Sequence, residues 1–455
     1  MVELLPPQES VIKILGASLK TSKDSYIWSI YLFQIEDEGE RYLFHNLTKL
    51  CLKLEDGDVL PLDRKSFSIG EIESDKVLKE LKDNFFLVPE GFDETKAYMS
   101  IFRVLRLKST HKKGLRQYTI LPTTACNARC FYCYEKDFVP VTMTDETVSQ
   151  VIKYIKETHN KEETIKLNWF GGEPLVGVGI IDRICTELKE AGIPYQSSMV
   201  TNGILIDDYV AGQMKGLWNL YKIQISLDGI ESEYNRRKNY IKHYDSAYQT
   251  VMENIGRLAG SNIRVSLRAN GDIDNADTMP QFVDDVYKRF GSYDNIYLYF
   301  ASLYQDFHSS DSLVIREKLA ESMRYANKLF RRNKEVKSES RSKKLYLRIN
   351  QCMADDACNN TVITPDGMLY KCEHIVPGTS YGNIWDGVTD KEFINKLLIP
   401  TTVPERCYGC PALPNCTPFD QCPIKYIPNC REIFTEGASE QVRNCIHGIE
   451  EDADC

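Results

Sequence analysis

Between residues 117 and 303, short apolar runs alternate with longer stretches whose apolar positions recur at helical spacing. The runs at 118–123, 165–170, 195–201, 222–227, 263–269 and 296–301 read as strands, with helical spacing over 146–158, 180–191, 207–217, 247–258 and 280–290 between them. Parallel strands need crossover connections, so this alternation predicts an α/β unit with a parallel sheet and helices outside it. In such sheets ligands sit beyond the carboxyl ends of the strands, so the loops after each run are the places to search. Ahead of residue 105 the pattern changes. Aromatic and β-branched content predicts strands at 26–33, 41–46 and 85–89, and helical spacing marks 47–54, 74–83 and 94–107. That order predicts a small α+β, winged-helix-like module over 1–105, in which His45 is a core or turn histidine. Residues 309–350 read as a charged helical linker whose 331–344 portion is nearly all polar.

Composition narrows the function. The 455 residues are 42% hydrophobic and 27% charged, ordinary for a globular chain of two or three domains. A formal charge of −9 argues against general binding to nucleic acid, which needs a basic face. No apolar run is long enough to span a membrane, and the first residues lack a signal peptide's pattern, so a cytoplasmic setting is expected. Fifteen cysteines in a reducing compartment point to metal ligands or catalysis rather than disulfides. Most fall in two regions, 126–133 and 352–445; Cys51 and Cys185 lie in apolar, helix-like surroundings and read as buried, inert thiols.

The first cysteine region, Cys126-x3-Cys130-x2-Cys133, follows the first strand of the α/β unit. Three thiolates on one loop leave one iron of an iron–sulfur cube open to a small molecule, whereas zinc prefers a closed set of four ligands. After the second strand come Gly171, Gly172, Glu173 and Pro174, after the third Thr201 and Asn202, and after the fourth Ser226 and Asp228. In the second region Cys352, Cys358 and Cys372 flank a Pro-Asp-Gly turn, which joins two strands as a hairpin. Cys407, Cys410, Cys416 and Cys422 follow, a run that also has the look of a zinc ribbon, with Cys430, Cys445 and Cys455 beyond.

The C-x3-C-x2-C set, with Tyr132 before its last cysteine, resembles the signature of the radical S-adenosylmethionine (SAM) enzymes. The resemblance implies a partial (β/α)6 TIM-like barrel over 106–308 and a [4Fe–4S] cluster on Cys126, Cys130 and Cys133. Its open iron would bind SAM, whose reductive cleavage gives a 5′-deoxyadenosyl radical that takes hydrogen from a substrate. Gly171, Gly172, Glu173 and Pro174 match the motif that contacts the SAM amino group. Thr201, Asn202, Ser226 and Asp228 hold positions near SAM, Arg268 that of a SAM carboxylate contact, and Tyr132 would offer its backbone to adenine.

The cysteines after 351 resemble the SPASM extension, which implies two auxiliary [4Fe–4S] clusters over 351–455. Carried over, the first uses Cys352, Cys358, Cys372 and Cys422. The second uses Cys407, Cys410, Cys416 and Cys445, with Cys430 the alternative to Cys445. The spacing between Cys416 and Cys422 is x5, where the family has x3. Cys455 reads as a free terminal thiol. In anaerobic sulfatase-maturing relatives the residue after the third hairpin cysteine is a carboxylate base, which makes Glu373 a candidate general base with His374 beside it. The expected protein is a peptide-modifying maturase with three [4Fe–4S] clusters. It would take up a precursor peptide through its leader as an added strand and draw electrons from a flavodoxin- or ferredoxin-type donor. It would install an intramolecular crosslink, a thioether by preference. Formylglycine formation and a non-catalytic iron–sulfur or zinc scaffold are the alternatives.

Overall fold

The computed structural model describes residues 1–5, 8–18, 25–55, 57–63, 66–109, 114–303, 311–331, 345, 347, 359–376, 378–398, 403–416 and 430–446. Cys352, Cys358, Cys422 and Cys455, and the polar stretch 332–344, lie outside them.

The N-terminal module contains β1 (Val2–Leu5), α1 (Glu9–Ser18), β2 (Ser25–Trp28), β3 (Leu32–Asp37), β4 (Glu40–His45), β5 (Cys51–Lys53), β6 (Ser66–Ser68), α2 (Asp75–Asp83), β7 (Leu87–Pro89) and α3 (Glu94–Ser109). Its strands form two sheets, β1-β5-β4-β3 and β6-β2-β7. The strand expected over 26–33 is interrupted at Ser29–Tyr31, where the chain passes from one sheet to the other. The helix expected over 47–54 is instead a turn followed by β5. Lys49 takes a left-handed φ of 64°, which ends any helix there, and Leu52 pairs with Leu43 across the sheet. Cys51 is therefore a strand residue, although it is buried as expected.

A buried polar relay holds α3 against these sheets. The backbone N–H of Thr48 donates to His45 Nδ1 at 3.0 Å, which leaves Nε2 as the ring's donor to Ser29 Oγ, also at 3.0 Å. Ser29 Oγ donates in turn to Glu94 Oε1, and Glu94 Oε2 accepts from Ile30 N at 2.9 Å. Burial drives His45 down to about 3 and Glu94 up to about 7.

The α/β unit follows the sequence pattern closely. β8 (Gln117–Ile120), β9 (Ile165–Trp169), β10 (Tyr195–Thr201), β11 (Leu220–Ser226), β12 (Arg264–Gly271) and β13 (Ile296–Ser302) pair in parallel, in chain order. Between them run α4 (Asp145–Thr158), α5 (Val178–Glu190), α6 (Asp208–Lys215), α7 (Glu231–Lys238), α8 (Ala247–Gly256) and α9 (Met279–Phe290). Thr144, Asp207 and Ser246 fix the starts of α4, α6 and α8 by accepting from the backbone three residues on. Ile165, Leu167 and Trp169 are buried on one face of β9 and belong to the same apolar core as Val151 and Ile152 of α4 and Ile184 and Leu188 of α5. Burial of such a side chain contributes about 1.5–3 kcal/mol. α10 (Ser312–Arg331) is more than the charged linker expected, since Ile315, Leu319 and Ala326 are buried in that core.

Beyond it, β14 (Asn360–Ile363) adds to the sheet in parallel beside β8, and β15 (Met368–Tyr370) returns antiparallel. The turn between them is the Pro-Asp-Gly turn, with Gly367 at a φ of 78°. β16 (Gly382–Asn383) and β17 (Gly387–Val388) extend the sheet to ten strands, and α11 (Lys391–Leu398) follows. α12 (Cys430–Ile446) packs Ala438 and Val442 on Phe33, Ile35, Tyr42 and Phe44 of the N-terminal sheet. Leu413 enters the other N-terminal core, Lys49 Nζ donates to Asn415 Oδ1 at 2.6 Å, and Tyr408 donates to Asp93 at 2.6 Å. The two ends of the chain thus close on each other.

Candidate active site

The cysteine loop leaves β8 and is tied down on both sides. Thr123 Oγ1 donates to Val141 O at 2.9 Å and accepts from Ala125 N at 3.0 Å. On the far side Arg129 N donates to the carbonyls of Lys238 and Asn239 at 3.1 and 3.0 Å, and Ile241 N donates to Asn127 O at 2.9 Å. Asn239 supports this with a left-handed φ of 45° that ends α7. The thiols of Cys126, Cys130 and Cys133 are within electrostatic reach of one another. Burial, with mutual repulsion, pushes Cys126 up to about 12 and Cys133 up to about 11. Among the described residues no three Cys, His, Asp or Glu side chains converge on a single point at ligating distance. The three are half-buried. Three neighbouring thiolates need a compensating cation, and a donor set of three sulfurs on one loop fits an iron–sulfur cluster with one open iron.

Gly171 and Gly172 press on this loop. A Cβ on Gly171 would lie 2.3 Å from Thr123 O, and one on Gly172 2.4 Å from Thr124 O. The two glycines therefore permit a close approach of backbone to backbone. Glu173, 1% exposed, accepts from Thr201 Oγ1 at 2.7 Å, Asn202 N at 2.8 Å and Leu175 N at 3.1 Å. Three donors leave about one of a carboxylate's four acceptor positions for an ammonium. Asn202 Nδ2 donates to Asn127 Oδ1 at 2.7 Å, so the third-strand motif grips the cysteine loop directly.

Asp228 is fully buried. Its Oδ1 accepts from Asn270 Nδ2 at 2.8 Å, and its Oδ2 lies 3.1 Å from the ammonium of Lys238 and accepts from the hydroxyl of Tyr132. Tyr132 was expected to act through its backbone; its side chain is in fact committed to this network. Ser226 Oγ donates to Thr201 O at 3.4 Å, and Arg268 Nε donates to Asn270 Oδ1 at 2.9 Å.

Glu373 and His374 come to the same place from the C-terminal extension. The His374 ring lies 4.7 Å from that of Tyr134, the residue after Cys133, and its Nε2 is 4.0 Å from Glu373 Oε1. Burial lowers the His374 pKa; Glu373 opposes the shift and Arg268 adds to it. Glu135, 9% exposed, is pushed up to about 7 by burial and by Glu373. Cys372 precedes this pair. Cys407 and Cys410 pack with Leu413 beside the N-terminal core, while Cys445 packs beside Cys51 at the end of α12. Cys430 and Cys445, fifteen residues apart on that helix, are separated by about 22 Å along its axis.

The sequence reading missed α7, and with it Arg237 and Lys238. Arg237, with a fully buried side chain, bonds Asp272 at 2.8 and 2.6 Å and Glu233 at 3.0 Å, and lies 5.5 Å over the ring of Phe131 in the cysteine loop. The signal was present as a basic Arg-Arg-Lys run before Asn239, a helix C-terminus pattern.

Residues 120–286 match the Radical SAM superfamily. The α/β unit of this chain carries a radical SAM domain, and the members of that superfamily are enzymes. It is 24% identical over 302 residues to a GTP 3′,8-cyclase of Clostridium perfringens, covering 63% of this chain and 89% of the cyclase. It is 27% identical over 278 residues to a serine-type anaerobic sulfatase-maturating enzyme of Klebsiella aerogenes, covering 55% of this chain and 65% of that protein. Two further relatives are matched over only 40% and 48% of their lengths. In fold it is similar to native anSMEcpe with bound AdoMet and a Cp18Cys peptide, with a TM-score of 0.52 at 18% identity, over 73% of this chain and 100% of that one. Among the described residues no helix is long and apolar enough to cross a membrane.

Proposed function

We propose that this enzyme modifies a residue of a ribosomally made precursor peptide, installing an intramolecular crosslink, with a thioether favoured. The observation that carries this reading is the meeting of Glu373 and His374 with the cysteine loop at Tyr134. This supports Glu373 as a proton acceptor close to the cysteine loop. When bound, a cluster on Cys126, Cys130 and Cys133 together with SAM supplies a carbon radical that abstracts hydrogen. The chain's own residues do the rest. Glu173 offers its remaining acceptor position to the SAM amino group, Arg268 faces the SAM carboxylate, and Glu373 receives the proton that the substrate loses. The N-terminal module is read as the leader-binding element. β3 supports this as an edge strand of its sheet among the described strands, able to take an added strand. Auxiliary clusters on the cysteines of 351–455, a flavodoxin- or ferredoxin-type donor and a cytoplasmic setting belong to the same reading.

The test is co-expression with short reading frames from the gene's neighbourhood, followed by mass spectrometry and a 5′-deoxyadenosine assay, with GTP offered separately as an alternative substrate. A product lighter by two hydrogens, with a loop resistant to fragmentation, is expected. Radical formation retained in a Cys126/Cys130/Cys133 triple alanine protein that holds no cluster there would overturn the mechanism. Formylglycine formation is a second reading, favoured by the likeness to the sulfatase-maturating enzyme. From a substrate serine it predicts the same loss of two hydrogens but an aldehyde that reacts with a hydrazide and no loop resistant to fragmentation; from a cysteine it predicts loss of sulfur.

A further inference from the structure

The last turn of α7 carries a group that this reading leaves unused. Lys238 is 2% exposed. Its ammonium donates to the Tyr132 hydroxyl at 3.0 Å, lies 3.1 Å from Asp228 Oδ2, and sits 5.7 and 5.8 Å over the rings of Tyr132 and Tyr234. Its main-chain carbonyl accepts from Arg129 N at 3.1 Å and from Cys130 Sγ at 3.7 Å. Carbonyl and ammonium of one residue therefore both face the cysteine loop. A buried ammonium is costly to desolvate, and here one carboxylate and one phenol compensate it. The charged and titratable groups that feel it are Asp228, Glu173, Tyr132, Tyr234, Cys130 and Cys133.

We propose that Lys238 is an electrostatic positioning residue. Its ammonium favours the added negative charge when the metal centre held by Cys126, Cys130 and Cys133 is reduced, and it fixes Tyr132 and Asp228 beneath that centre. Reduction adds one electron to the thiolate-bound group, and a fixed positive charge in a low-dielectric setting stabilises that state relative to the oxidised one. A residue that merely filled space would leave this equilibrium unmoved. The inference rests on the cluster assignment made above.

The experiment is an EPR-monitored redox titration of the reconstituted full chain, following the reduced-cluster signal that changes on addition of SAM. Lys238→Gln keeps hydrogen-bonding capacity without charge, and Lys238→Arg keeps the charge. The Gln protein should show about a tenfold smaller equilibrium constant for one-electron reduction, equivalent to about 59 mV. The Arg protein should stay within about threefold of the parent. An unchanged constant in the Gln protein, or an equal fall in both, would overturn the proposal. Where Lys238→Gln loads no SAM-responsive cluster, iron retention by Lys238→Arg supports a charge requirement, and its loss there too assigns Lys238 a steric role only. No SAM-responsive signal in the parent protein would instead count against the cluster assignment itself.

Discussion

The Ser29–His45–Glu94 relay makes the stability of the N-terminal module depend on pH through two groups of opposite sign. His45 titrates at 6.5 when unfolded and at about 3 when folded. The unfolded chain therefore takes up a proton that the folded chain refuses, and stability is lost as pH falls below 6.5. Glu94 moves the other way, from 4.5 to about 7. Its folded form keeps a proton that the unfolded form releases, so stability is regained as pH falls from 7 to 4.5. Each pH unit is worth about 1.36 kcal/mol per group. Between pH 6.5 and 4.5 each group thus contributes about 2.7 kcal/mol, and the two cancel. Glu94→Gln removes one arm. The variant should lose about 2.7 kcal/mol over that interval while the parent stays nearly level, on top of a pH-independent cost of about 1 kcal/mol for the altered hydrogen bonds. Hydrogen-exchange mass spectrometry on peptides covering 25–54, corrected for intrinsic rates, reads the opening free energy in the full chain. Equal slopes in parent and variant would refute the coupling.

Gly172→Ala would drive a Cβ to 2.4 Å from Thr124 O and 2.5 Å from Ala125 O, both main-chain atoms of the cysteine loop. 5′-Deoxyadenosine formation should fall by at least about tenfold with the helical circular dichroism intact. Arg237→Met leaves the buried Asp272 carboxylate without its cation, while Glu233 keeps Arg236, and should cost about 3–5 kcal/mol in denaturant unfolding. Adding Asp272→Leu should recover part of that loss. Because α12 holds Cys430 and Cys445 about 22 Å apart, only one of them can ligate a given cluster. Iron analysis of the two single alanine variants should show loss of about one four-iron cluster in one and none in the other.

The barrel was legible because each strand and helix declares itself locally, through runs such as Ile-Lys-Leu-Asn-Trp at 165–169 and caps such as Thr144. The cysteine spacing and the motifs after the strands named the chemistry for the same reason. What stayed hidden depends on tertiary contact. Residues 47–54 carry leucines at spacings that suit a helix, and pairing with β1 and β4 on either side makes Cys51–Lys53 a strand. α7 has almost no apolar stripe, since its position comes from Arg237 and Lys238 reaching inward to carboxylates. Tyr132 reads as a backbone contact to adenine, and nothing in the local sequence reveals that Asp228, far along the chain, claims its hydroxyl.

The parallel pairing of β14 with β8 also sets an order of events during synthesis. Gln117 finds its partner only when Asn360 has been made. At about 5–20 residues per second this interval lasts on the order of tens of seconds. The final cover of the N-terminal sheets arrives later still, with Leu413 and α12. Throughout that interval the loop bearing Cys126, Cys130 and Cys133 has its barrel neighbours on one side and an open flank on the other. That flank is closed only when His374 reaches Tyr134, so the cysteine loop acquires its last neighbour long after its own strand is made.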